Sequence, residues 1–132
     1  MSRASVLARG RAAAEAGMVD ACIIRRITGQ VTDPDTGEVT NTYTTIYEGK
    51  CRLQQISRTQ ARPEQAGEAY LLMLRRELQL PMSVTGLRTE DEVTMTASAY
   101  DPDLPGRVFL IRDLFGKTEA TARRIAVEEV TS

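Results

Sequence analysis

Between residues 92 and 100, Val93, Met95, Ala97 and Ala99 alternate with Glu92, Thr94, Thr96 and Ser98. This is the period of a strand with one face buried and the other wet. Residues 101–106 follow with Pro102, Pro105 and Gly106. Proline cannot donate to a ladder and glycine takes positive φ, so this segment predicts a turn. Residues 107–113 predict a second strand, 114–119 a turn and 122–130 a closing strand. The rest of the chain is arranged around this antiparallel stretch.

Upstream, the β-branched and apolar residues 21–28 predict a first strand. Residues 31–40, with Asp33, Pro34, Asp35 and Gly37 between strand-like runs, predict a hairpin. Residues 42–48 and 50–56 read as strand on either side of Gly49, where a bulge or sharp bend is expected. Residues 70–80 also suit a helix, but a helix here would interrupt a succession of neighbouring strands, so a strand ended by Pro81 is expected. Residues 4–16 are alanine-rich and predict a short helix, with Ser5 as candidate cap and Gly10 as a weak point. Val6 and Leu7 are its only large apolar side chains. Such a stretch either docks on a neighbour or frays.

The expected fold is therefore mainly β: a small antiparallel β-barrel or sandwich of about six to seven strands, with a short N-terminal helix and one long loop. Residues 1–19 form a helical docking segment and 20–130 the barrel. The long loop, 57–68, has almost no apolar side chain and contains Pro63 and Gly67. It is the first place to look for a partner contact, the alternative being a connection without function.

With 132 residues the chain suits one domain with its own core. Seventeen basic and 18 acidic side chains leave a formal charge of -1, which gives no global attraction to nucleic acid or an anionic membrane. No apolar run approaches the roughly 20 residues of a membrane span, so a soluble protein is expected. The N-terminus is basic, but Arg9 and Arg11 interrupt the apolar region that a secretory signal requires. The two cysteines, Cys22 and Cys51, fall in expected strands and suit buried free thiols better than a secreted disulfide scaffold. Few aromatic residues imply an aliphatic core.

Histidine is absent, and with it the commonest general base, the usual triads and most zinc sites. No glycine-rich phosphate loop occurs. Asp33, Asp35 and Gly37 resemble part of a calcium loop, but the glycine comes fifth instead of sixth and Thr44 stands where a glutamate is needed. The acidic run Glu90-Asp91-Glu92 reads as a solvated loop. Arg75-Arg76 and Arg123-Arg124 suit either a solvated rim or contacts with phosphate or a partner's acidic side chains. No enzyme activity, metal or cofactor is expected.

The order of a basic first strand, the hairpin at 33–38, the strand 92–100, the turn 101–107, the strand 108–112 and the closing strand with Arg123 and Arg124 resembles the head-closure, or stopper, proteins of long-tailed bacteriophages. The alanine- and arginine-rich style is similar to relatives from phages and prophages of high-GC actinobacteria. The resemblance covers roughly residues 18–130 and implies a virion protein of the neck, made in the host cytoplasm. Six or twelve copies would form a homo-oligomeric ring between the portal–adaptor complex and the tail terminator or tail tube, close to packaged double-stranded DNA and away from any membrane. It further implies that Arg58, Gln60, Arg62, Pro63 and Gln65 lie on a loop facing the channel. Asp33, Asp35, Gly37 and Glu38 would contact a neighbouring ring, while Val6, Leu7, Arg9 and Arg11 would dock on the adaptor or a neighbouring subunit. The rival expectations are a tail terminator at the same junction and a small nucleic-acid-binding barrel.

Overall fold

The computed structural model describes residues 2–55, 75–116 and 120–130. The alanine-rich segment forms helix α1 (Arg3–Ala16), and the alternating runs form β1 (Asp20–Thr32), β2 (Val39–Gln55), β3 (Arg75–Leu80), β4 (Glu92–Ser98), β5 (Val108–Phe115) and β6 (Arg123–Glu129). All neighbouring strands are antiparallel. They close into a ring in the order β1-β2-β3-β6-β5-β4, with β4 returning to β1. Closure is uneven: β1 and β2 pair along a long ribbon, whereas β4 and β5 pair only from Glu92 opposite Leu110 to Thr94 opposite Val108. The helix is not long and apolar enough to cross a membrane.

The interior follows from the two-residue period of the strands. Cys22 and Ile24, Leu78 and Leu80, Val93 and Met95, Phe109 and Ile111, and Ile125 and Val127 are fully buried pairs, joined by Cys51 from β2. Phe109 is the largest of them and the rest are aliphatic, thioether or thiol side chains, so the core is largely aliphatic, as the composition implied. Val84 and Leu104 add to this core from the connections. Both cysteines are buried free thiols. Hydrogen bonding to Cys22 and burial both push the Cys51 thiol pKa up.

Local expectations fail where bulges intervene. On β4, Val93 and Met95 are buried but Ala97 and Ala99 are exposed. The pairing slips between Ala21 opposite Ala97 and Cys22 opposite Met95, leaving Thr96 as the extra residue. One extra residue turns every later side chain to the other face. Residues 42–48 and 50–55 form one continuous strand, and Gly49 pairs regularly with Cys22 with no bulge at the join. The irregularities on this ribbon lie between Ile24 and Arg25 and between Ile27 and Gly29. Gly49 serves a close approach instead of a bulge: a Cβ there would stand 2.8 Å from Tyr47 Oη. That hydroxyl donates to the Lys50 carbonyl at 2.7 Å.

Two boundaries also move. Leu114 and Phe115 continue β5 through pairing with Ile125 and Arg124, where a turn was expected. The helix is capped by Ser2, whose hydroxyl accepts from Ser5 N at 3.2 Å. Ser5 is therefore the capped residue and not the cap.

Candidate functional site

β1 runs beside β4 only as far as Arg25 opposite Glu92, and β2 runs beside β3 only from Arg52 onward. Residues 26–32 and 39–44 therefore pair with each other alone. They form a two-stranded arm roughly 20 Å long, at about 3.3 Å per residue. A ribbon without a third strand is marginal in water, and this one is held by its own cross-links. Thr28 and Thr42 hydroxyls lie 3.1 Å apart, and Gln30 Nε2 donates to Asn41 Oδ1 at 3.3 Å.

The arm's tip is built around Asp33. Its Oδ1 accepts from Asp35 N at 2.8 Å, while its backbone N–H donates to Glu38 O and its carbonyl accepts from Gly37 N, both at 2.8 Å. The Asp35 amide holds the Asp33 carboxyl below its ordinary pKa. Gly37 takes φ 73°, the left-handed conformation that closes the turn at little steric cost. Asp33, Asp35, Gly37 and Glu38 are thus together at one exposed tip.

Paired residues share a face, so Ile27 lies beside Tyr43, and Val39 and Asn41 continue that face towards the tip. Ile27 is 53% and Val39 54% exposed, and Val31 on the opposite face is also 54% exposed. At the root, the Arg25 guanidinium lies 4.1 Å from the centre of the Tyr43 ring, and its Nη2 meets Glu92 Oε1 at 2.7 Å. The arm therefore has a fixed base and bare apolar side chains further out.

α1 is the second element with little packing of its own: none of its residues is buried. Leu7, Gly10, Arg11 and Ala14 are half-buried at helical spacing, while Val6, Arg9 and Ala13 are exposed. Arg11 Nε donates to Ala120 O at 3.2 Å, and Glu15 meets Lys50 at 3.1 Å. Gly10 is the point of closest approach, since a Cβ there would lie 2.8 Å from Thr121 Cγ2. Of the residues expected to dock, Val6 and Arg9 face outward. Leu7 and Arg11 belong to the half-buried stripe.

The acidic run is not a solvated loop. Asp91 is only 2% exposed. Its two oxygens accept from Arg26 Nε and Nη2, each at 2.8 Å, and from the Arg88 amide at 2.9 Å. The hydrogen bond to Asp91 raises the Arg26 pKa further. Glu92 pairs with Arg25, and Glu90 with Arg112 at 2.7 Å. Glu90 itself holds φ 74°, unusual for a residue with a side chain. The three carboxylates tie the connection before β4 to β1 and β5. The arginines near the barrel rim are likewise engaged internally: Arg124 meets Glu77 at 3.7 Å and Arg123 Nη2 donates to Met82 O at 3.2 Å.

At the end of the barrel away from the arm, an open cleft of about 430 Å³ is lined by Asp20, Arg52, Arg76, Tyr100 and Asp101 among others. Its charges are mixed, and Asp20 is already engaged by the Ser98 hydroxyl at 2.6 Å. Gln55 and Arg75, which flank residues 56–74, belong to the same end of the sheet. The residues expected to face a channel, Arg58, Gln60, Arg62, Pro63 and Gln65, lie outside the described residues.

Ile27, Val31, Val39 and Tyr43 were not singled out in the sequence. Their signal was the continuation of β-branched residues past Thr28 in a stretch with no basic side chain from 27 to 49. Residues 10–128 match the model of a family described as a family of unknown function, DUF6093. The chain belongs to the DUF6093 family. No curated protein matches it. The solution structure of protein SF1141 from Shigella flexneri 2a is similar, with a TM-score of 0.58 and 18% identity over 83% of this DUF6093 chain and 90% of that one. At that identity the likeness shows a shared fold alone.

Proposed function

We propose that this DUF6093 protein is a structural subunit of a phage virion that forms a ring at the head–tail junction. There it helps to retain packaged DNA and joins the portal–adaptor complex to the tail. The supporting observation is the arm, a ribbon that adds nothing to the barrel's core and exposes Ile27, Val31 and Val39 at more than half of their surface. An exposed ribbon with unpaired outer edges is an association hazard for a lone barrel. In a ring each such element gains a neighbour, which makes it useful. The helix, with no buried residue, fits the same logic.

The role is structural rather than catalytic. A near-neutral subunit can surround DNA without gripping it, because local arginines give only modest, salt-screened attraction. A nucleic-acid-binding barrel would instead use aromatic side chains gathered on a basic face. Among the described residues the aromatics are scattered: Tyr43 is on the arm, Tyr47 packs against the core, Tyr100 is in the cleft, Phe109 is interior and Phe115 is exposed at the end of β5.

A phage with an early stop codon in this gene tests the reading through electron microscopy of lysates and assay of DNA kept in heads. Filled heads that leak DNA beside separately completed tails are expected. Heads that keep their DNA beside overlong tails would assign the protein to tail termination, and normal virions would remove it from the junction.

A further inference from the structure

Two exposed surfaces of the chain have opposite charge. Residues 27–49, which include all of the arm beyond Arg26, hold Asp33, Asp35, Glu38 and Glu48 and no basic residue, and Arg26 itself is paired with Asp91. Residues 2–14, nearly the whole of α1, hold Arg3, Arg9 and Arg11 and no acidic residue. Each also offers bare apolar side chains: Val39 beside Glu38 on the arm, and Val6 one turn from Arg9 on the outer face of the helix. The two surfaces match in charge and in apolar character.

Their placement decides how they can meet. The arm rises from β1 and β2, whereas Gly10 and Arg11 of α1 rest on Ala120 and Thr121, which lead into β6. In the closed order β1-β2-β3-β6-β5-β4, β6 lies three strands from β1 in either direction, across the barrel. The free end of β1 and the start of β6 belong to the same end of that barrel, because the strands are antiparallel with Leu80 opposite Arg123 and Arg52 opposite Gln79. Glu15, near the other end of the helix, meets Lys50 of β2 opposite the start of β1, so α1 spans from the residues before β6 to β2 while the acidic arm projects from the far end of β1.

We infer that the arm of one copy docks on the outer face of α1 of a second copy, with Glu38 and Asp35 against Arg9 and Val39 against Val6. Such a contact joins two different surfaces, so it repeats from copy to copy instead of stopping at a two-fold dimer, and it forms a ring where the rotation between copies closes. The inference rests on the ring reading above and assigns the arm to the adjacent copy within one ring, in place of a neighbouring ring. Charge complementarity makes the contact weaken as salt rises.

The test uses full-length Val39→Cys and Val6→Cys variants with a short bis-maleimide. Cys22 and Cys51 are buried and the Cys51 thiol is pushed up in pKa, so only the introduced thiols react. The expected result at high protein concentration and low salt is a cross-linked dimer only when the two variants are mixed, and a ladder ending in one closed species for the double variant. Arg9→Glu should abolish both products, and Arg9→Glu with Glu38→Arg should restore them. Cross-linking within the Val39→Cys variant alone, or a chain that stays monomeric, would overturn the arm–helix contact. Light scattering on the same samples separates the two ideas: a ring without the mixed cross-link removes this contact and leaves the ring standing.

Discussion

At the scale of single residues, the clearest consequence of burial is at Tyr47. Its ring lies over Gly49 and packs against the core, and its hydroxyl donates to the Lys50 carbonyl. Burial, followed by the neighbouring Cys22, Cys51 and Glu15, pushes its pKa up from 10.0 to about 12. The neutral phenol is thus favoured in the folded state. The stability it contributes is fully present below pH 10.0 and is lost as pH rises through the folded value of about 12. Phenolate absorbance should show a tyrosine titrating near 12 that disappears in Tyr47→Phe, and that variant should lose less stability than the parent across this window. The same scale shows what could not be read from sequence. The strand tendency of residues 20–25 was legible, but the match of Arg25 and Arg26 to Glu92 and Asp91 depends on β1 lying beside β4, across more than 60 positions of chain. Nothing local in Glu90-Asp91-Glu92 distinguishes a buried carboxylate from a solvated one.

At the scale of elements, alternation, β-branched composition and, for residues 75–80, the succession of neighbouring strands located the described strands, and bulges displaced their details. The extra residue at Thr96 exposed Ala97 and Ala99, whose pattern alone called for burial. Gly49 was legible as a special position, yet its cause is the Tyr47 side chain and not a bulge, a distinction that only tertiary packing makes. Gly10 is the corresponding case in α1. By helix propensity alanine is better there by about 1 kcal/mol, but its Cβ would stand 2.8 Å from Thr121 Cγ2. Gly10→Ala should therefore raise the intrinsic helicity of this segment while lifting it from the barrel. Amide exchange should show weaker protection around Arg11 and Ala120, and adding Thr121→Ser, which removes the obstructing methyl, should restore it.

For the whole molecule, the closed six-strand ring explains why one chain can present two unlike surfaces. Interior pairs from successive strands fill the barrel, while the arm and the outer face of the helix lie outside that core. The mainly β fold was legible because turn residues separate short alternating runs, and among the described residues no crossover helix intervenes. The arm was only partly legible, since alternation predicts that a strand exists and not that its neighbours stop short of it. The structure brings Asp33, Asp35, Gly37 and Glu38 to the tip of that arm, giving the hairpin expectation a physical surface. We propose that many copies of this barrel make a ring in the virion neck. Electron cryo-microscopy of the neck in intact virions tests it most directly. A ring of six or twelve copies of this six-stranded barrel between the portal–adaptor complex and the tail is the expected result. Complete virions whose neck holds no such barrel, and from which mass spectrometry finds the chain absent, would contradict it.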